Sequence, residues 1–213
     1  MSRVGRKRGM CVMSVRSEQA QRSRVRLLDC AADLFATRGY DATTVAEILG
    51  RAGQARGALY HYFPGGKQEI FAAVVDRIDA ELEAEIAAAI AGTEDPLDRI
   101  AVGADAFLGA CLTPAVGRTL LTEAPAVVGA DWESGSEFLV IRTALADAVA
   151  AGTVVISSID ELALFVLGGI ARLGLAIAAD PRPERVASGV ATVRAMLDAL
   201  RQPGRNSVAT FRQ

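Results

Sequence analysis

The stretch from Thr43 to Phe63 constrains the fold more than any other part of the chain. Thr44 and Glu47 stand three residues apart, the spacing at which a threonine and a glutamate cap a helix start reciprocally. Val45, Ile48 and Leu49 then fall on one face of a short helix. Arg51-Ala52-Gly53 reads as the turn that ends it. Gln54 to Tyr62 reads as another short helix, with Leu59 and Phe63 turned inward. Upstream, Leu27, Leu28, Ala31, Leu34 and Phe35 mark the buried face of a preceding helix, and Gly39 supplies its left-handed stop.

Pro64-Gly65-Gly66 breaks the third helix, and Lys67 opens a long fourth one through about Ala89. Gly92-Thr93 and Pro96 separate it from a helix near Leu97 to Leu112. Pro114 and Pro125 delimit short pieces, and Trp132 to Ala150 is helical again. After a break from Gly152 to Ser158 come helices over Ile159–Ala179 and Pro183–Leu200. Val154-Val155-Ile156 is too short for a sheet. The expected fold is all-α. A three-helix, helix-turn-helix domain covers 23–66 and a second helical domain covers 67–201. Residues 1–22, polar and basic with little periodicity, read as a flexible arm, and 202–213 as a flexible tail. Met10 and Met13 are alternative starts to Met1.

The net charge of −2 conceals a division. Through Lys67 there are 12 Lys and Arg against 5 Asp and Glu, and from Gln68 onward 11 against 20. A basic amino-terminal third on an acidic remainder points to a polyanionic partner for the first part alone. Basic and aromatic side chains between Gln54 and Phe63 suit a phosphate-lined groove better than a protein core. The chain is 51% apolar, enough for a substantial core and too much for wholesale disorder. Cys11, Cys30 and Cys111 are odd in number and widely spaced, which fits a reducing cytoplasm rather than a disulfide framework. Met1 to Val15 lacks the apolar run of a secretory signal. Leu162 to Ala179 is the one membrane-like segment. With Arg172 inside it and Asp160-Glu161 before it, the segment reads as a buried interface helix, and no membrane partner is expected. A single histidine, His61, and the lack of any nucleophile–base or metal-ligand spacing argue against an enzyme; no cofactor or metal is expected.

At these positions the chain resembles the TetR family of transcriptional regulators. The matching residues are Gly39-Tyr40, Thr43-Thr44-Val45 with Ile48, Ala52-Gly53, Gly57, Leu59-Tyr60, Tyr62-Phe63 and Lys67, then Ile70-Phe71. The resemblance implies that Thr43 and Thr44 contact phosphates and that Arg56, Gly57 and His61 face bases. Tyr60 and Tyr62 would touch the DNA backbone, and Lys67 a phosphate at the amino end of the fourth helix. The chemistry agrees with those roles. Hydroxyls and amines position a duplex while base-edge contacts specify it, and Arg56 suits a guanine in bidentate fashion. Tyr60 reads equally as core with an exposed hydroxyl, and His61 has the alternative of a solvated helix position. Arg3, Arg6, Lys7, Arg8 and Arg16 form either a minor-groove arm or a solvated tail. Two departures stand out. Ala55 and Ala58 replace common hydroxyl residues, and Pro64-Gly65-Gly66-Lys67 is one residue longer than the commonest form.

The resemblance further implies a homodimer on a palindromic double-stranded DNA operator, since one reader helix covers only a few base pairs. Its four-helix interface maps onto Ile159–Ala179 and Pro183–Leu200, with Leu162, Phe165, Val166, Gly169, Leu173 and Ile177 in contact. The alternative is that these helices simply close the monomer core. A ligand cavity among the middle helices would draw on Phe107, Cys111, Leu121, Trp132, Phe138 and Ile141, with Glu123 or Arg142 as polar anchors. That set suits a largely apolar small-molecule effector, and suits an ordinary core equally well. The implied function is a cytoplasmic repressor released from its operator by a small molecule. A thiol-redox sensor using Cys111 or Cys30, and an activator, are alternatives on the same fold.

Overall fold

The computed structural model describes residues 15–129 and 136–201. Among the described residues all regular structure is helical. The elements are α1 (Val15–Arg38), α2 (Val45–Ala52), α3 (Arg56–Tyr62), α4 (Lys67–Ile90), α5 (Pro96–Ala110), a π-helix (Ala115–Glu123), α6 (Ala124–Val128), α7 (Ser136–Ala150), α8 (Ile159–Ala179) and α9 (Pro183–Leu200).

Helices α1 to α3 form a small head whose local signals are realised as bonds. The Glu47 N–H donates to Thr44 Oγ1 at 3.2 Å and the Thr44 N–H to Glu47 Oε2 at 2.9 Å, closing the reciprocal cap of α2. Gly53 ends α2 in the left-handed region at φ +63°, where a side chain would be strained. Gln54 donates its N–H to Leu49 O at 3.1 Å, so it completes the turn and α3 begins at Arg56. Leu59 and Phe63 are buried behind α3. The rings of Phe35, Tyr40 and Phe71 meet at centroid distances of 4.9–5.9 Å and weld α1 to α4.

Helix α4 belongs to both halves of the molecule. At its middle Arg77 pairs with Asp29 of α1 at 2.6 Å, and near its end Ile86 and Ile90 lie against Gly103 of α5. The expected boundary at Lys67 is therefore the start of a helix shared by head and body. In the body, α5, α7, α8 and α9 bury Leu97, Leu108, Leu145, Ile177 and Leu197. Helix α8 is long and apolar enough to cross a membrane by composition, but it packs on α5, α7, α9 and the π-helix. Arg201 fastens the end of α9 to the start of α5, bonding Asp95 at 2.7 and 2.9 Å and Asp98 at 2.9 Å.

Two elements differ from expectation. Helix α1 begins at Val15, inside the segment read as an arm, because no glycine or proline interrupts the chain between Val15 and Leu27. Its first turns are polar all round, so no apolar period announces them. The short pieces expected between Pro114 and Pro125 are instead the nine-residue π-helix. The remaining arm and tail residues, and Trp132, lie outside the described residues.

Candidate nucleic-acid interface

The outer face of α3 gathers Arg56, Gly57, Tyr60 and His61 in solvent, with Tyr62 half-buried at its end. A tyrosine ring left 42% exposed on a helix so short has its polar tip and one face free for a partner. The Arg56 guanidinium carbon lies 5.8 Å from the Tyr60 ring centroid, and the His61 and Tyr62 rings stand edge to face at 5.0 Å. Among the described residues Arg56 has no carboxylate partner, so its five N–H donors remain available. Ala55 occupies the position before α3 and offers no side-chain cap, in keeping with the hydroxyls missing from the sequence.

The two threonines separate. Thr44 is exposed and holds Glu47 through its hydroxyl as well as its backbone, with Oγ1 donating to Oε2 at 2.9 Å. Those hydrogen bonds, the Thr44 backbone one first, hold the Glu47 carboxyl below its ordinary range. Arg38 pairs with the same carboxylate. Thr43, expected at a phosphate, is 0% exposed and donates its hydroxyl to Gly39 O at 2.8 Å. It is a fastener of the joint between α1 and α2, without surface to offer a duplex.

Lys67 opens α4 behind a turn in which Gly66 adopts φ +68° and ψ −134°, a conformation suited to glycine alone. Its Nζ donates to Tyr40 O at 3.0 Å and sits 4.0 Å from the Tyr40 ring centroid. Two of its three N–H donors are left. Among the described residues no side chain caps α4, so its first backbone N–H groups are also open to an anion. The Glu69 carboxylate folds back onto the Gly65 N–H at 2.6 Å and keeps the longer turn closed.

The expected ligand-lining set divides. Cys111, Leu121 and Ile141 are buried, and Phe107 and Phe138 are half-buried against the core. Packing at Gly174 is tight: a Cβ there would stand 2.7 Å from the Phe107 ring and 3.1 Å from Cys111 Sγ. The Cys111 thiol donates to Phe107 O at 3.1 Å, and burial pushes it up to about 12. Neither polar anchor points into this group. Arg142 is exposed and pairs with Asp160 at 2.6 Å, while Glu123 accepts from the Tyr40 N–H at 2.9 Å. Glu123 thus belongs to the contact between body and head, a role hidden in the sequence because its partner is 83 positions away.

On α8 the expected interface residues also divide. Val166 and Ile177, at 1% and 2% exposed, are turned into the core of the chain itself and have no surface for a partner. Leu162 and Leu173 are half-buried, and Phe165 and Gly169 face outward. The open face runs through Leu164, Phe165, Gly168, Gly169 and Arg172, and the sequence reading missed Leu164. An apolar helix of this kind carries no period from which to choose its outer face.

Comparison with known proteins agrees with the fold and with the head. Residues 27–74 match bacterial regulatory proteins of the tetR family, and residues 97–200 match the tetracyclin repressor-like C-terminal domain. The chain is 30% identical to a TetR-family transcriptional regulator from Pectobacterium atrosepticum. Their structures superpose with a TM-score of 0.73 over 88% of this chain and 98% of that one. It is 34% identical over 86 residues to the HTH-type transcriptional regulator LmrA of Bacillus subtilis, 40% of this chain and 44% of that protein. Over 40 residues it is 58% identical to the HTH-type transcriptional repressor KstR2 of Rhodococcus jostii, 19% of this chain and 20% of that one. The matches to these curated relatives thus span less than half of their length. This chain belongs to the TetR family of helix-turn-helix transcriptional regulators.

Proposed function

We propose that the protein is a homodimeric repressor that binds a two-fold operator in double-stranded DNA and is released by a small, largely apolar effector. The observation that carries this reading is the outer face of α3. There Arg56, Gly57, Tyr60 and His61 stand in solvent on a helix held from behind by Leu59 and Phe63. Arg56 and His61 would read base edges, Tyr60 and Tyr62 would meet the backbone, and Thr44 and Lys67 would hold phosphates to either side. Such a protein works where the DNA is, in the cytoplasm.

Pairing of subunits is supported by α8. Leu164 and Phe165 are 53% and 69% exposed, an apolar surface of a kind that marks association, and Gly168 and Gly169 permit close approach. Pairing there with α9 would set two α3 helices at a fixed spacing. The effector would enter among Phe107, Leu121, Phe138 and Ile141 by parting their contacts. It would favour a state in which α4 swings and the readers separate, with a coupling on the order of 1–3 kcal/mol. The buried Cys111 counts against a thiol sensor at that residue, because the reactive species is the thiolate and burial disfavours it here.

Footprinting on the DNA that flanks its own gene tests the reading. A protected two-fold site is the expected result. Binding without sequence preference, or protection of an unrepeated site, would overturn it.

A further inference from the structure

We propose that the π-helix Ala115–Glu123 is the clamp that sets the angle of the DNA-binding head on the body, and that Arg118 and Glu123 are the positioning residues through which it grips. The inference rests on the DNA-binding reading but adds the element that controls it. Arg118 Nη1 donates to Thr37 O at 2.9 Å and lies 3.4 Å from Ala36 O. These are carbonyls at the end of α1, where no further helical partner exists and a cation is favoured. Glu123 Oε2 takes the Tyr40 N–H, and its other oxygen lies so near Gly39 that a Cβ there would come within 2.6 Å. Lys67 holds the Tyr40 carbonyl from α4. The joint between α1 and α2 is thereby gripped on both sides of one residue, Tyr40.

The register of the helix makes this grip possible. In an α-helix, residues five apart point about 140° away from each other. The wider i→i+5 register of a π-helix brings them round toward the same side. Arg118 and Glu123 are five apart; Arg118 reaches the end of α1 and Glu123 reaches Tyr40 just beyond it. Within the same turn the Thr122 hydroxyl donates to Gly117 O at 2.7 Å, again five residues back. The other side of the π-helix is pressed against the body. A Cβ on Gly117 would stand 2.8 Å from Cys111 O and 3.0 Å from Ala178 Cβ of α8. Thr119 is fully buried, and among the described residues its hydroxyl has no partner, a cost carried by this register. A shift of α8 or α5 is therefore felt directly at the head. Conversion of this segment to an α-helix would turn Glu123 away from Tyr40 and release the joint.

The test uses the full-length protein and a series of operators whose half-sites are moved apart or together by one and two base pairs. Arg118→Ala and Glu123→Ala should keep the base preference within each half-site. Both should lose discrimination between spacings by at least about fivefold, the low end of usual site-to-site coupling. Glu123→Gln, which retains an acceptor for the Tyr40 N–H, should restore most of it. Arg99→Gln, which breaks the 2.7 Å pair with Asp147 inside the body, should leave spacing discrimination intact even where it lowers Tm. Amide hydrogen exchange without DNA supplies an independent arm: Gly39 and Tyr40 should exchange faster in the two alanine variants and not in Arg99→Gln. Unchanged exchange at those amides, or unchanged spacing discrimination in both alanine variants, overturns the clamp. A wild-type protein that binds no two-fold site while the exchange difference persists removes the DNA reading and leaves the clamp standing.

Discussion

Arg56 and Lys67 carry the same charge, but their surroundings give them different parts in recognition. Arg56 projects from the outer face of α3 with no carboxylate partner among the described residues, whereas Lys67 is tied by one donor to Tyr40 O at the foot of α4. Arg56→Ala should therefore lose about 1–3 kcal/mol against the preferred base pair and bind altered sites almost as well as the original. Lys67→Ala should weaken every sequence alike and lower the slope of log K against log salt by about one. Binding curves over a mutated operator set distinguish the two; identical behaviour of both variants would remove the division of roles. The neighbouring threonines show where reading by residue type runs out. Thr43 and Thr44 look alike in the sequence, but the helix start turns Thr44 outward and leaves Thr43 inside, bonded to Gly39 O. Thr43→Val should cost about 1 kcal/mol of stability, the net worth of one hydrogen bond, and should leave the salt slope unchanged. Urea melts alongside binding at several salt concentrations check both halves of that statement.

At the scale of elements, helix ends were legible and helix register was not. The cap at Thr44 and Glu47 and the stop at Gly53 each have a local chemical signature, and each forms as expected. The early start of α1 has none, and a nine-residue π-helix has no composition of its own; Gly117 is fixed there by contact with Cys111 and Ala178, far away in sequence. Long-range pairing at the end of α9 likewise has no local signature, since Arg201 and Asp95 are 106 positions apart. Arg201 holds the Asp95 carboxyl down to about 2, from an ordinary 3.8, chiefly through its hydrogen bond. A carboxylate depressed in the folded state contributes its stabilisation in full above the ordinary value and loses it as pH falls toward the folded one. Arg201→Ala should therefore be less stable than wild type at neutral pH. The gap should narrow as pH drops from about 4 toward 2, in chemical denaturation followed by circular dichroism. A gap that stayed constant through that range would show that the latch is not electrostatic.

The whole molecule is a small basic head on an acidic body, joined through α4 and the π-helix, with an apolar face of α8 left open. Charge division and the helical remainder were readable from the sequence, and so was the family likeness of the head; the body agreed with it only in the number and layout of its helices. The outer face of α8 was not, since its apolar residues surround the helix and only packing against α5, α7, α9 and the π-helix decides which of them remain outside. Phe165→Asp places a charge on that face at a residue 69% exposed, so the fold should survive while the subunits separate. Light scattering should then report a monomer with unchanged helix content, and operator affinity should fall with it; a variant that stayed dimeric would move the interface elsewhere. The central claim, that two α3 helices read one duplex, is met most directly by titrating the protein against its protected site across a salt series. Two chains per site are predicted, with log K falling linearly as log salt rises, at a slope of about −0.9 for each phosphate neutralised. One chain per site, or an affinity indifferent to salt, would contradict it.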